Sequence, residues 1–322
     1  MILLTGANGF IGSNFQQYCY KKSRKIVLAL RNDNRSKNLQ SFHDTIKVGE
    51  INSSTDWFYA LKGINCVIHC AAKVHMINEK GQHDYHSINL EGTKNLAEHA
   101  ARAGVKRLVF LSTIKVNGEN TTQINNSKSQ KNKFKDIFRH NDLPDPKGAY
   151  AISKFEAEKA LNEVSLKTGL EVTIVRIPLV YGYGVKGNLA QLIKLVKLGI
   201  PLPLGMVNNQ RSMIGIDNLV DLLICCADHP KAAGKTFLVS DGQDLSTPEL
   251  IKFIALSMGR KTNLFPIPLF LLKFLGLIFR KQKEINRLVG SLRIDSSYTK
   301  EMLNWSPPVS VEKGIRRMVE IE

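Results

Sequence analysis

Met1-Ile-Leu-Leu-Thr-Gly-Ala-Asn-Gly-Phe-Ile-Gly12 is the stretch that decides the fold. The apolar run Ile2, Leu3, Leu4 reads as a buried strand, and Phe10 and Ile11 open a helical apolar pattern. Between them Gly6, Gly9 and Gly12 mark a tight turn. Glycine tolerates positive φ there and lets the main chain approach a ligand closely. Strand, glycine turn and helix N-terminus in that order offer free N–H groups and the positive end of a helix dipole to a diphosphate. This context marks a dinucleotide-binding loop, built from Gly6, Asn8, Gly9, Phe10, Ile11 and Gly12.

Outward from that stretch, further strand patterns fall at residues 26–30, 46–48, 66–69, 106–112, 171–176 and 236–239. Helical patterns alternate with them at 90–103, stopped by Gly104, and at 150–168 and 218–229. Strands alternating with helices predict an α/β fold. Its core is a doubly wound parallel Rossmann sheet, with a ligand crevice at the carboxyl ends of the strands. Residues 1–176 and 213–241 are assigned to that domain, and 177–212 and 242–322 to a smaller C-terminal substrate-binding lobe. Residues 119–141 break the pattern with Asn, Lys, Ser and Gln. They read as a solvated insertion or as a flap beside the site.

The chain has 322 residues, 43% of them hydrophobic, enough for one large core with a satellite lobe. No leader with a basic start and a cleavage site is expected at the N-terminus. The five cysteines form no Cys-x-x-Cys pair and lie in apolar segments, which suggests reduced thiols and a cytoplasmic protein. A formal charge of +17 suits an anionic substrate, a nucleic acid or an anionic membrane surface. The lack of a nucleic-acid-binding motif argues against nucleic acid as a partner.

The residue ending the second strand of such a fold reads the adenosine ribose. Here it is Arg31, which favours the 2′-phosphate of NADP(H) over NAD(H), with Arg35 as a second partner. Alternatively, Arg31 is a surface residue stacking on the adenine of either cofactor. Glu50, followed by Ile51, would hold the adenine edge.

Tyr150 and Lys154 share a helix face. A phenol is a poor base near neutrality, and a neighbouring ammonium would lower its pKa. Ser112 or Thr113, at the end of the fifth strand, would supply a hydroxyl beside it. Tyr18 and Lys22 repeat the spacing with no site around them, so position gives the pair its meaning. His69, Cys70 and His75 do not make a ligand set, because adjacent strand residues point to opposite faces, and no metal is expected.

Six segments taken together resemble the extended short-chain dehydrogenase/reductase family. They are Gly6-Ala-Asn-Gly-Phe-Ile-Gly12, His69-Cys-Ala-Ala72, Asn89-Leu-Glu-Gly-Thr93, Leu111-Ser-Thr-Ile-Lys-Val-Asn-Gly118, Tyr150-Ala-Ile-Ser-Lys154 and Arg176-Ile-Pro-Leu-Val-Tyr-Gly182. The resemblance runs to Asn304-Trp-Ser-Pro-Pro308 and is strongest for the nucleotide-sugar branch of surface-polysaccharide pathways. It implies Tyr150 as acid/base, Lys154 as its partner on the nicotinamide ribose, and Thr113 as the hydroxyl, with Ser112 beside it. Ala71 and Ala72 would line the pyrophosphate channel and Asn89 would brace the site. For a UDP-sugar, Arg211 would grip the diphosphate, with Asn188 as a further contact. Backbone near Leu204 would carry the uridine, and Arg287 is a weak match to a second family arginine. Dehydratases of the family carry Asp-Glu after the threonine, where this chain has Ile114 and Lys115. The resemblance therefore implies C4 chemistry without dehydration. Reduction of a UDP-4-keto-6-deoxy-N-acetylhexosamine by NADPH is put first and 4-epimerisation with bound NAD second. A scaffold or cofactor-sensing protein on the same fold is disfavoured, because Thr113, Tyr150 and Lys154 are all intact.

Residues 264–279 are the longest apolar stretch, too short to span a bilayer, for which about 20 residues are needed. They read either as a core or lobe-packing helix or as an interfacial helix touching anionic lipid. The helices near 90–103 and 150–167 resemble those that pair in family homodimers.

Overall fold

A computed structural model describes residues 1–32, 42–74, 85–121 and 136–320. Seven strands form one parallel sheet: β1 (Ile2–Thr5), β2 (Val27–Leu30), β3 (Asp44–Lys47), β4 (Cys66–His69), β5 (Arg107–Thr113), β6 (Glu171–Ile177) and β9 (Thr236–Leu238). Their order is β3-β2-β1-β4-β5-β6-β9, so the winding reverses between β1 and β4. That switch point opens a crevice where ligands bind in such folds. β7 (Leu179–Tyr181) and β8 (Met213–Gly215) pair with each other outside the main sheet. The sequence pattern had not revealed them, since three residues carry no readable period.

Strand alternation sorts side chains onto the two faces. Ile2, Leu4, Leu28, Ile68 and Val109 join one core, with α1 (Phe10–Lys21) and α5 (Ile216–Asp228) against it. Leu3, Ala29, Val67, Leu108 and Phe110 join the other, under α2 (Gly92–Arg102) and α3 (Gly148–Thr168). A third core gathers α4 (Asn188–Lys197), α6 (Thr247–Ser257) and parts of α7 (Leu269–Ile278), α8 (Gln282–Val289) and α10 (Val311–Val319). Within the tail, α9 (Ser297–Leu303) turns back to the sheet, and Leu303 and Trp305 pack into the first core. Trp305 fixes this return by donating to Asp221 at 2.8 Å.

The helix expected from residue 90 begins earlier, with a π-helical turn at His86–Glu91 that runs into α2. Gly104, at φ +72°, closes that helix in the left-handed conformation. Both ends of the 119–141 segment are tied to the chain near 291–298. Thr121 donates its N–H to Ser291 at 2.9 Å, Phe138 does so to Arg293 at 2.9 Å, and His140 stacks on Tyr298 at 3.8 Å. Its middle, like Arg35 and His75, lies outside the described residues.

Candidate active site

The loops after β1 and β4 meet at the switch point. Gly6 takes φ +69°, and a Cβ there would lie 2.7 Å from the Ala71 nitrogen. At Gly12 a Cβ would collide with the Gly6 carbonyl oxygen and the Ala7 backbone. Gly9, the N-cap of α1, is different: a Cβ would meet only the Gly6 oxygen, at 3.1 Å. No side chain caps α1, so its first-turn N–H groups, on Phe10, Ile11 and Gly12, have no side-chain acceptor. Two glycines therefore close the turn and the third leaves its approach open, a cradle that fits a diphosphate. Asn8 is exposed at its rim.

Beneath the loop, the Thr5 hydroxyl and His69 Nδ1 are 2.6 Å apart, and the Ala71 N–H donates to Thr5 Oγ1 at 3.2 Å. His69 Nε2 lies 3.0 Å from the Thr93 hydroxyl, so hydroxyls hold both ring nitrogens. Burial, with Lys154 adding to it, lowers the His69 pKa to about 3. The unfolded chain binds a proton at His69 below its ordinary 6.5, whereas the folded protein resists until about 3. His69 therefore favours folding above pH 6.5, and that contribution drains away toward pH 3 at up to about 1.4 kcal/mol per pH unit. The thermal midpoint should fall over this window more steeply than in a His69→Gln variant. Parallel curves would count against this role.

Thr113 at the end of β5 and Tyr150 on α3 come together, with Lys154 one turn along α3. Thr113 Oγ1 accepts from the Lys115 N–H at 3.3 Å, and a hydrogen bond from Thr113 reaches Tyr150. The Tyr150 ring lies 6.1 Å from that of Tyr85, a neighbour that sequence reasoning missed because no local pattern marks it. The π-helical turn also carries buried Asn89, whose amide donates to the Lys73 carbonyl at 3.1 Å and to Ser153 Oγ at 3.0 Å, while its Oδ1 accepts from the Lys73 N–H at 2.8 Å. Ser153 in turn donates to the Tyr150 carbonyl at 2.9 Å. Asn89 thus braces the helix that presents Tyr150. Ala72 follows Ala71 at the crevice edge, both partly exposed.

Two expectations are corrected at this point. Ser112 does not face the site: its hydroxyl donates to Glu158 at 2.5 Å, two turns along α3 from Tyr150. Arg176 holds Glu158 through contacts of 3.1 and 2.6 Å and donates to Asn117 at 2.9 Å, so Ser112 belongs to a buried network. Nor does Lys154 lower the Tyr150 pKa. Burial first, then Tyr85, pushes the phenol up to about 12 against the Thr113 hydrogen bond. The Lys154 ammonium lies over the Phe110 ring at 3.8 Å, and burial lowers its pKa to about 7 against Glu158 and Cys70. At the stretch expected to carry the uridine on its backbone, the Leu204 side chain packs into the lobe core and the Gly205 N–H is given to the Phe265 carbonyl at 3.1 Å. The other Tyr–Lys repeat is structural, since Tyr18 donates to Asp221 at 2.8 Å.

Toward the adenosine end, Arg31 has an acidic neighbour. Its Nε pairs with Glu50 at 3.2 Å, both side chains being exposed. Ile51 packs so closely on Gly92 that a Cβ there would lie 2.7 Å from its methyl carbon. On the lobe side, Arg211 donates to the carbonyls of Arg287 at 2.7 Å and Gly290 at 3.1 Å, which brings the two arginines together. Burial lowers the Arg211 pKa, and the Arg287 charge adds to this. Asn188 is exposed at the start of α4.

A family model described as the NAD dependent epimerase/dehydratase family matches residues 2–240. The chain belongs to the NAD dependent epimerase/dehydratase family. Over 99% of its length it is 41% identical to a UDP-glucose 4-epimerase of Vibrio cholerae, covering 94% of that protein. It is 26% identical, over 83% of its length and 75% of the relative's, to an N-acetyl-alpha-D-glucosaminyl-diphospho-ditrans,octacis-undecaprenol 4-epimerase of Escherichia coli O157:H7. The fold matches the crystal structure of a UDP-glucuronic acid 4-epimerase from Bacillus cereus in complex with NAD. That match has a TM-score of 0.77 at 21% identity, over 99% of this chain and 95% of the other. Membership of the epimerase/dehydratase family agrees with the resemblance read from the motifs.

Proposed function

We propose that this chain is a 4-epimerase of a UDP-linked hexose, with NAD held by residues 6–12. The observation that carries the reading is its likeness, end to end, to the UDP-glucose 4-epimerase of Vibrio cholerae. The order of the two C4 reactions expected from the sequence is therefore reversed. Reduction by NADPH leaned on Arg31, but the Glu50 carboxylate 3.2 Å away would repel a 2′-phosphate and suits a ribose hydroxyl better.

Bound NAD would supply a reversible hydride acceptor for C4, and its positive charge would favour phenolate at Tyr150. The chain's own part is proton transfer and positioning. Tyr150 takes the proton of the C4 hydroxyl and gives it back to the ketone oxygen after the sugar has turned. Thr113 hydrogen-bonds the same oxygen. Lys154, almost wholly buried, holds the nicotinamide ribose. Arg211, with Arg287 beside it, grips the UDP diphosphate between the sheet and the lobe built on the third core, from residues 177–212 and 242–322 without the segment 297–305 that returns to the sheet. Ile114 and Lys115 follow Thr113, and Lys115 is occupied by Glu119 at 3.0 Å, so no carboxylate pair stands there for dehydration.

Purified protein given UDP-glucose or UDP-N-acetylglucosamine, with no nicotinamide added, should form the galacto isomer and release NAD on denaturation. Absence of any isomer, together with oxidation of NADPH on a UDP-4-keto-6-deoxy sugar, would return the reading to a reductase.

A further inference from the structure

α7 faces the wrong way for a core helix. Only Leu272 and Gly276, one turn apart, are buried, and Gly276 is pressed so closely on α8 that a Cβ would lie 2.8 Å from Ile285. Phe270, Phe274, Leu277, Ile278 and Phe279 are each more than half exposed, and Leu269 and Leu271 are exposed beside them. Residues 270, 274, 277 and 278 repeat at helical spacing, the apolar stripe that a surface helix normally turns inward. A contiguous apolar face of this kind marks an interaction site.

The charges around it identify the partner. From residue 250 to 283 the chain has no Asp or Glu, while Arg260, Lys261, Lys273, Arg280 and Lys281 fall in that segment. Lys273 and Arg280 are exposed and have no carboxylate within ion-pair distance among the described residues; Lys281 is shared with Glu284 at 3.6 Å. A second copy docking through this face would bring the same cations against one another in a chain already at +17. Acyl chains for the phenylalanines and anionic headgroups for the lysines and arginines satisfy both features together. No helix among the described residues is long and apolar enough to cross a membrane, so the contact lies in the interface plane.

We propose that α7 seats this protein on an anionic lipid bilayer, its phenylalanine and leucine face entering the headgroup region. The helix adjoins the lobe's arginine pair, because α7 packs on α8 and α8 carries Arg287. The docked face is separate from Thr113, Tyr150 and Lys154, so it does not depend on which reaction the site performs.

Flotation of the whole protein with phosphatidylcholine vesicles, with and without phosphatidylglycerol, tests this. Wild type should float with the phosphatidylglycerol vesicles and lose most of that binding in high salt. Each cation at such a surface is worth about fivefold in partitioning, so Lys273→Glu/Arg280→Glu should bind at least that much more weakly. Phe270→Glu/Phe274→Glu should stay at the bottom while keeping the circular dichroism and C4 activity of wild type. Should this variant fail to fold, the charge-reversal pair tests the same surface without altering the apolar face. The proposal is overturned if wild type fails to float, or if both variants float as well as wild type. It is equally overturned if light scattering shows a wild-type dimer that the variants dissociate, with no vesicle binding by either.

Discussion

Replacing Tyr150 by phenylalanine is expected to lower kcat by about 10²–10⁴, the usual share of general acid–base catalysis. The substitution removes one oxygen and leaves the ring against Tyr85 and the helix backbone in place. Because that oxygen acts only in proton transfer, NAD content and the KM for the UDP-sugar should stay near wild type. The loss belongs in kcat, which separates it from a binding defect. A merely structural tyrosine would cost thermal stability and leave turnover near normal, and near-normal turnover would sink the assignment. Thr113→Val should show a smaller loss of the same kind, since its hydroxyl aids Tyr150 and is not the proton carrier.

The second large effect falls on stability. Glu158 and Arg176 are almost wholly buried, 3% and 7% exposed, and meet at 2.6 Å. Arg176→Met strips the Glu158 carboxylate of its paired guanidinium in the core and leaves it the Ser112 hydroxyl and the charge of Lys154 one turn back on α3. Breaking one side of such a pair costs about 3–5 kcal/mol, which should lower the thermal midpoint by roughly 4–7 °C for a chain of this size. Adding Glu158→Leu removes the stranded charge and should restore much of the loss, leaving the Asn117 contact unmet. Calorimetry on the two single variants and the double variant measures this coupling. Additive losses would mean that the pair does not act as a unit.

Much of the fold was legible because local patterns carried it. The apolar run, the spaced glycines and the helix start after β1 are all contained within twelve residues. Tyr150 and Lys154 were legible for the same reason, since i, i+4 spacing on a helix that follows a strand ending in Ser-Thr is a local statement. What stayed hidden depends on pairings distant in sequence. Whether Ser112 or Thr113 faces the sugar is a matter of strand register against α3, which spacing leaves open. Glu158 was within reach, one further turn beyond Lys154 on the same face, but its partner Arg176 comes from another strand. Arg31 looked like a phosphate reader because nothing in the sequence ties it to Glu50. For α7, the apolar stretch was legible but not which of its residues face outward, and only packing against α8 decides that.

The most direct test of the central claim follows the hydrogen at C4. UDP-glucose carrying deuterium at C4 should be converted to UDP-galactose without added nicotinamide, and the product should keep the deuterium at C4. That result means the hydride leaves and returns within one site while Tyr150 handles only the proton. A product whose C4 hydrogen comes from solvent, or no product at all beside steady NADPH consumption on a 4-keto sugar, would contradict the account.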